Sequence, residues 1–342
     1  MTKLLIIYTG GTIGMVQDAS GILVPFDFEN ITQNVPELKR LDYQLQVISF
    51  DPIMDSSNMS PDTWVKIAEM IRDEYAHYDG FVVLHGSDTM AYTASALSFM
   101  LENLAKPVVL TGSQLPIGEI RTDAKENLIT ALEIAASRHA DGSPVVPEVC
   151  IYFDYRLFRG NRSRKYHSNK FEAFDSPNYP PLAEAGVHLK FNSEDICQPG
   201  KASLVVHTRL DARIASLKIF PGITEHTVRA ILQSPGLKAI ILESFGTGNT
   251  CTEGWFVQAL KEAIGRGLVI LDISQCVGGS VELGRYETSR HLKEMGVLSG
   301  HDMTFEAAVT KLMFLLGQEY GRPELERMIE FNLRGELSAG TN

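Results

Sequence analysis

The stretch that decides the fold runs from Gly80 to Gln114. It reads Gly80-Phe-Val-Val-Leu84-His-Gly-Ser-Asp-Thr89, continues through the largely apolar Met90 to Leu104, and closes on Lys106-Pro-Val-Val-Leu110-Thr-Gly-Ser-Gln114. Two short apolar runs, Phe81–Leu84 and Pro107–Leu110, flank a segment of helical length from Thr89 to Leu104. Short continuous apolar runs bounded by turn residues predict strands covered on both faces, and the longer run predicts a helix apolar on most sides. Strand, helix, strand in that order is the repeating unit of a parallel sheet.

The same rhythm extends in both directions. Upstream, Leu4–Tyr8 and Gln44–Phe50 read as strands, and Pro61–Tyr78 carries Trp64, Ile67, Ala68 and Ile71 at helical spacing. Ser60 is placed as its N-cap and Pro61 at its first position. Downstream, Asp123–Ala136 reads as a helix and Val149–Phe153 as a strand. Between Leu189 and Arg213 the rhythm weakens, then resumes. Strands are expected at Ala215–Phe220, Ala239–Leu242 and Leu268–Ile273, and helices at Thr224–Leu232, Trp255–Gly265, Thr304–Leu316 and Pro323–Phe331. The expected architecture is α/β: a larger N-terminal domain (1–195) with a mainly parallel sheet and helices on both faces, a linker (196–213), and a smaller C-terminal α/β domain (214–342).

Composition narrows the function classes. The 342 residues carry a net charge of −11, a poor match to nucleic acid or an anionic membrane, both of which demand clustered cations. Cys150, Cys197, Cys251 and Cys276 form no Cys-x-x-Cys pair and do not read as a zinc or dithiol motif. The apolar run near the N-terminus is too short for a signal peptide or a membrane span. The expectation is a soluble, cytoplasmic protein with reduced thiols.

Three expected strands end in loops of glycine and hydroxyl residues: Tyr8-Thr-Gly-Gly-Thr-Ile-Gly14, His85-Gly-Ser-Asp-Thr89 and Thr111-Gly-Ser-Gln114. Ligands of open parallel sheets bind beyond the carboxyl ends of the strands, so these loops predict a site. The first is not G-x-G-x-x-G, and no P-loop is present. Together the loops supply hydroxyls (Thr12, Ser87), a carboxylate (Asp88) and backbone N–H groups. Those are the materials of nucleophilic acyl transfer. His85 ends a buried strand and reads as a structural histidine. No G-x-S-x-G elbow is present. That leaves Lys165, in the cationic run Phe158-Arg-Gly-Asn-Arg-Ser-Arg-Lys165, as the candidate proton partner, in a buried ion pair with Asp88. By composition alone the same run reads as a solvated basic loop.

Thr9-Gly-Gly-Thr-Ile-Gly14, Met54-Asp-Ser-Ser57, His85-Gly-Ser-Asp-Thr-Met-Ala-Tyr92, Thr111-Gly-Ser-Gln114, Phe158-Arg-Gly-Asn-Arg162 and Lys165 occur in this order. In that order the chain resembles the bacterial-type cytoplasmic (type I) L-asparaginases of the asparaginase/glutaminase family, from the first strand to Asn332-Leu-Arg-Gly-Glu-Leu337. The resemblance implies hydrolysis of L-asparagine to aspartate and ammonia, with Thr12 as nucleophile through a β-aspartyl ester and Ser87, Asp88 and Lys165 as the relay. It implies that Asp55, Ser56 and Ser57, with Ser87 and Asp88, hold the substrate. It also implies no metal or organic cofactor, and a homodimer or homotetramer.

Four positions depart from the family pattern. Ser87 stands where threonine is usual, and so lacks the methyl that restrains χ1. Ser20-Gly-Ile-Leu-Val-Pro25 lacks the tyrosine common in the loop after the nucleophile, which leaves Tyr286 as a candidate activator of Thr12. Asn58 replaces a common aspartate. Glu243 stands in place of an arginine of an allosteric asparagine site whose other parts match Asn249, Ser274 and Cys276. A carboxylate repels the effector carboxylate, so activation by asparagine is expected to be weak or absent. Two other readings stand beside the asparaginase one. One is the related archaeal amidotransferase subunit, which carries an extra N-terminal domain. The other is a catalytically silent amino-acid sensor on the same fold.

Overall fold

Strand β1, Thr2–Tyr8, is buried from Leu4 onward and lies inside the main sheet. Its neighbours are β2 (Tyr43–Ser49) and β3 (Gly80–Leu84), both parallel to it. β3 pairs in parallel with β4 (Val108–Thr111), and β4 with β5 (Val149–Phe153). Three short strands then run antiparallel: β6 (Arg156–Arg159), β7 (Ala183–Ala185) and β8 (Leu189–Phe191). The spatial order is β8-β7-β6-β5-β4-β3-β1-β2. The computed structural model describes residues 1–17, 23–25, 35–285 and 287–338. It divides into two compact units, Met1–Thr208 and Arg209–Asn342.

Three helices of the first unit cover this sheet: α1 (Pro61–Glu74), α2 (Met90–Met100) and α3 (Ala124–Ala136). The strand period of two sorts the side chains. Leu4, Ile6, Val82 and Leu84 share a core with Leu128, Ala131, Leu132 and Ala135 of α3. Leu5, Ile7, Phe81 and Val83 point to the opposite face and are equally buried. α2 packs on β4 and β5, and α1 packs on α2; none of their buried side chains joins the α3 core. The sheet is therefore covered on both sides, which is why its central strands are apolar throughout. Ser60 accepts from the Thr63 N–H with Pro61 following, so the N-cap of α1 forms as read.

The helix expected to reach Leu104 stops at Met100. Leu101–Glu102 turns out of the helix to pair antiparallel with Val205–Val206, and Asn103 adopts a left-handed conformation at φ 59°. The antiparallel strands β6 to β8 were not expected, because runs of three or four residues with mixed exposure carry little periodicity.

The second unit holds a four-stranded parallel sheet in sequence order: β9 (Ile214–Lys218), β10 (Ala239–Ser244), β11 (Val269–Ser274) and β12 (Leu298–Ser299). α4 (Glu225–Leu232), α5 (Gly254–Gly265) and α6 (Glu287–Met295) contribute Val228, Phe256, Ala259 and Leu292 to one core with Leu217, Ile240, Leu242 and Ile270. α6 was not expected, since its sequence is mostly polar. Two helices close the unit, α7 (Phe305–Gly317) and α8 (Arg322–Glu330). α7 is capped by Thr304, whose hydroxyl accepts from the Ala307 N–H at 3.2 Å. The C-terminal segment is held by a fully buried ion pair between Lys311 and Glu336 at 2.6 Å. Glu336 also accepts from the N–H groups of Leu333 and Arg334.

Candidate active site

The site is set by register. Tyr8 lies opposite Ser49 on one side and Leu84 on the other, and Leu84 lies opposite Thr111. The loops that follow β1, β2, β3 and β4 thus leave the sheet at one level. Backbone bonds carry the alignment onward: Thr9 N–H donates to Leu84 O (3.0 Å), His85 N–H to Thr111 O (2.9 Å) and Met54 N–H to Thr9 O (2.8 Å).

Glycine permits the crowding. Gly10 and Gly11 have φ of 136° and 93°, where side chains are strained. A Cβ on Gly10 would lie 2.0 Å from Met54 O, and one on Gly11 2.5 Å from the Gly86 nitrogen. Three loops are in backbone contact here because two residues have no side chain.

Between them lies a cavity of about 410 Å³ whose lining includes Thr12, Asp55, Ser56, Ser87, Asp88 and Lys165. Thr12 opens a short 3₁₀ turn, Thr12–Gly14, directly after the glycine pair. Lys165 donates to Ser87 Oγ at 2.8 Å and to Asp88 Oδ1 at 2.6 Å. The pair is not buried as expected. The Lys165 side chain is 17% exposed but that of Asp88 is 67% exposed, because the turn leading into α2 sets the carboxylate at the mouth of the cavity. Ser57 does not line the cavity, but its N–H (2.9 Å) and hydroxyl (2.8 Å) donate to Asp55 Oδ1. Those two bonds hold the Asp55 carboxyl below the usual carboxylate range, the backbone N–H foremost. Thr89 ties the loops together by donating to Ser56 O at 2.6 Å.

His85 is fully buried and does not line the cavity. Trp64 Nε1 donates to Thr93 Oγ1 at 3.0 Å, and Thr93 in turn stands 2.9 Å from His85 Nε2. His85 Nδ1 stands 2.6 Å from Gly86 O, a carbonyl that only accepts. That chain assigns the proton to Nδ1. Burial pushes the imidazole down to about 4. His85 is thus a neutral structural group that shapes the Gly86 turn.

The cationic run is likewise not a solvated loop. Arg159 is buried, with Nε 2.6 Å from Glu148 Oε2, and its guanidinium lies over the Tyr179 ring at 4.4 Å. Arg162 is also buried and faces the same ring. These arginines anchor the segment, and Lys165 emerges from it into the cavity.

Glu243, Asn249, Ser274 and Cys276 fall in the second unit, at the carboxyl ends of β10 and β11. Glu243 is already engaged by Lys218 Nζ at 3.5 Å and Ser216 Oγ at 3.4 Å. Ser274 donates to Gly246 O and accepts from the Cys276 N–H. Asn249 exchanges backbone bonds with Phe245. Tyr286 lies outside the described residues, as do residues 20–22 of the loop after the nucleophile.

The cavity lining also includes Gln114, to which the sequence assigns no role. It was visible only as the last member of Thr111-Gly-Ser-Gln114, with no spacing signal of its own. Among the described residues no cluster of three or more His, Cys, Asp or Glu could hold a metal ion, and no helix is long and apolar enough to cross a membrane.

Comparison with known proteins agrees with this architecture. A family model described as "Asparaginase, N-terminal" matches residues 3–197, and one described as "Glutaminase/Asparaginase C-terminal domain" matches residues 213–329. L-asparaginase 1 of Escherichia coli (strain K12) is 44% identical over 98% of this chain and 98% of its own length. The 60 kDa lysophospholipase of Mus musculus is 42% identical over 98% of this chain and 62% of its own length. The crystal structure of L-asparaginase I from Vibrio cholerae O1 superposes with a TM-score of 0.90 at 40% identity, covering 99% of each chain.

Proposed function

The chain belongs to the asparaginase family, and from that premise we propose that it hydrolyses L-asparagine to L-aspartate and ammonia through an acyl-enzyme on Thr12. The observation that carries the reading is one shared cavity of about 410 Å³ whose lining includes Thr12, the Lys165–Ser87–Asp88 cluster and Asp55.

In the proposed first step Thr12 Oγ attacks the carboxamide carbon of the asparagine side chain. The hydroxyl loses its proton, the C–N bond breaks, and the nitrogen leaves as ammonia with a proton gained. A β-aspartyl ester remains on Thr12. Water then attacks the ester, and aspartate departs as the hydroxyl is restored. Ser87, Asp88 and Lys165 hold the protons that move in these steps. Lys165 stands within hydrogen-bond distance of both Ser87 and Asp88, the reach that general acid–base catalysis needs. Asp55 and Asp88 suit the α-ammonium group and the Ser56 hydroxyl suits the α-carboxylate, while Ser57 acts from behind by holding the Asp55 carboxylate. Tyr286 is the proposed activator of Thr12. A cytoplasmic homo-oligomer needing no cofactor belongs to the same proposal.

The alternative is an amino-acid sensor on the same fold, which Ser87 in the relay leaves open and the presence of Thr12, Asp88 and Lys165 argues against. Purified protein incubated with L-asparagine separates the two. Ammonia release supports the enzyme; calorimetric binding of asparagine without ammonia release contradicts it and supports the sensor.

A further inference from the structure

Resting on the asparaginase reading, we propose that Gln114 is a positioning residue that clamps the Ser87 hydroxyl in its relay orientation, replacing a restraint that a β-methyl would give. The hydrogen-bond directions around Gln114 are fixed by chemistry. Its Nε2 stands 2.7 Å from Lys170 O and 3.3 Å from Ser168 O. Backbone carbonyls only accept, so the amide nitrogen must face them and Oε1 must face the other way. Oε1 stands 3.4 Å from Ser87 Oγ. The Lys165 ammonium, held at Asp88, only donates to Ser87 Oγ. The Ser87 proton therefore points to Gln114, and the chain runs Lys165 to Ser87 to Gln114 to the 168–170 backbone.

Gln114 is itself anchored. Its N–H donates to Asp123 Oδ2 at 2.9 Å, the Leu115 N–H donates to Asp123 Oδ1 at 3.1 Å, and Asn127 Nδ2 donates to Asp123 Oδ2 at 3.2 Å. Asp123 directly precedes α3, so the brace is tied to the main core. Serine has a hydrogen where threonine has a methyl, and its χ1 is correspondingly free. A rotated Ser87 would break the 2.8 Å contact from Lys165. The long 3.4 Å contact marks a modest effect, of the kind that tightens once substrate fills a site.

The test is a double-mutant cycle on ammonia release from L-asparagine. Gln114→Leu, with Gln114→Met as a second variant of similar size, is made in the natural protein and in Ser87→Thr. In the serine background kcat is expected to fall about tenfold with KM nearly unchanged, and in the threonine background the same change should cost less than about twofold. Equal losses in both backgrounds, no loss in either, or a rise in KM alone would each overturn the clamp. An inactive natural protein would instead overturn the asparaginase reading beneath it.

Discussion

Thr12→Ala removes one hydroxyl and leaves the glycine pair, the 3₁₀ turn and the cavity wall in place. Turnover is expected to vanish while aspartate binding, read by calorimetry, stays near that of the natural protein. Wild-type kcat in this variant would remove Thr12 from the mechanism. Lys165→Met keeps the length of the stem but deletes the donor shared by Ser87 and Asp88. General acid–base catalysis is worth about 10²–10⁴-fold, and a fall of that size in kcat is expected; a fall below about tenfold would show that the cluster is not central. At this scale the sequence was informative about residue types and less so about environments. Thr12, Ser87 and Asp88 stood out as candidates because hydroxyls and a carboxylate occupy glycine-rich loops at strand ends, and Lys165 only as the basic group left over in the cationic run. The exposure of Asp88 was not legible, since it depends on how the turn into α2 is aimed. Nor was the role of Gln114, which depends on backbone carbonyls 54 and 56 residues away.

Buried groups make elements of the two units respond to pH in opposite directions. His85, at the end of β3, is neutral and lowered from 6.5 to about 4. Between those values the unfolded chain binds a proton that the folded state refuses, so stability falls as pH drops from 6.5 toward 4, by on the order of 3 kcal/mol. Asp272 in β11 is buried, and burial raises it from 3.8 to about 7 against the smaller opposing effect of Ser244. There the folded state keeps the extra proton, so stability falls as pH rises from 3.8 through about 7. His85→Gln should flatten the first slope and Asp272→Asn the second. Peptide-level hydrogen exchange against pH reads the two regions separately; unchanged slopes in both variants would contradict the assignment. Lys311 and Glu336 predict a further effect. Glu336→Ala leaves a buried lysine unpaired at the C-terminal end of the chain, which costs about 3–5 kcal/mol. A denaturation midpoint indistinguishable from that of the natural protein would refute it. The apolar strands and long amphipathic helices were legible because their periodicity is long enough to count. β6 to β8 and α6 were not, being short or polar and held by their neighbours.

Across the whole molecule, the net charge of −11 is a poor match to polyanion partners, yet the cationic run that breaks the acidic pattern is mostly interior scaffolding. Composition cannot separate a solvated arginine from one paired with Glu148 and stacked on Tyr179. The second unit raises the question of regulation. With Glu243 engaged by Lys218 and Ser216, its carboxyl end offers no cation at that position for an effector carboxylate. The velocity curve for asparagine is expected to be hyperbolic and unaltered by Cys276→Ser; sigmoidicity abolished by that change would establish the effector site. The proposed reaction is covalent, with an aspartyl group passing through the Thr12 hydroxyl just beyond the end of β1. Acid-quenched reaction with L-asparagine, followed by peptide mass spectrometry, tests it most directly. An aspartyl ester on Thr12, lost on standing in active protein and absent from Thr12→Ala, is the predicted result. Ammonia release with the adduct on another residue, or with no adduct trapped even in Lys165→Met, would contradict it.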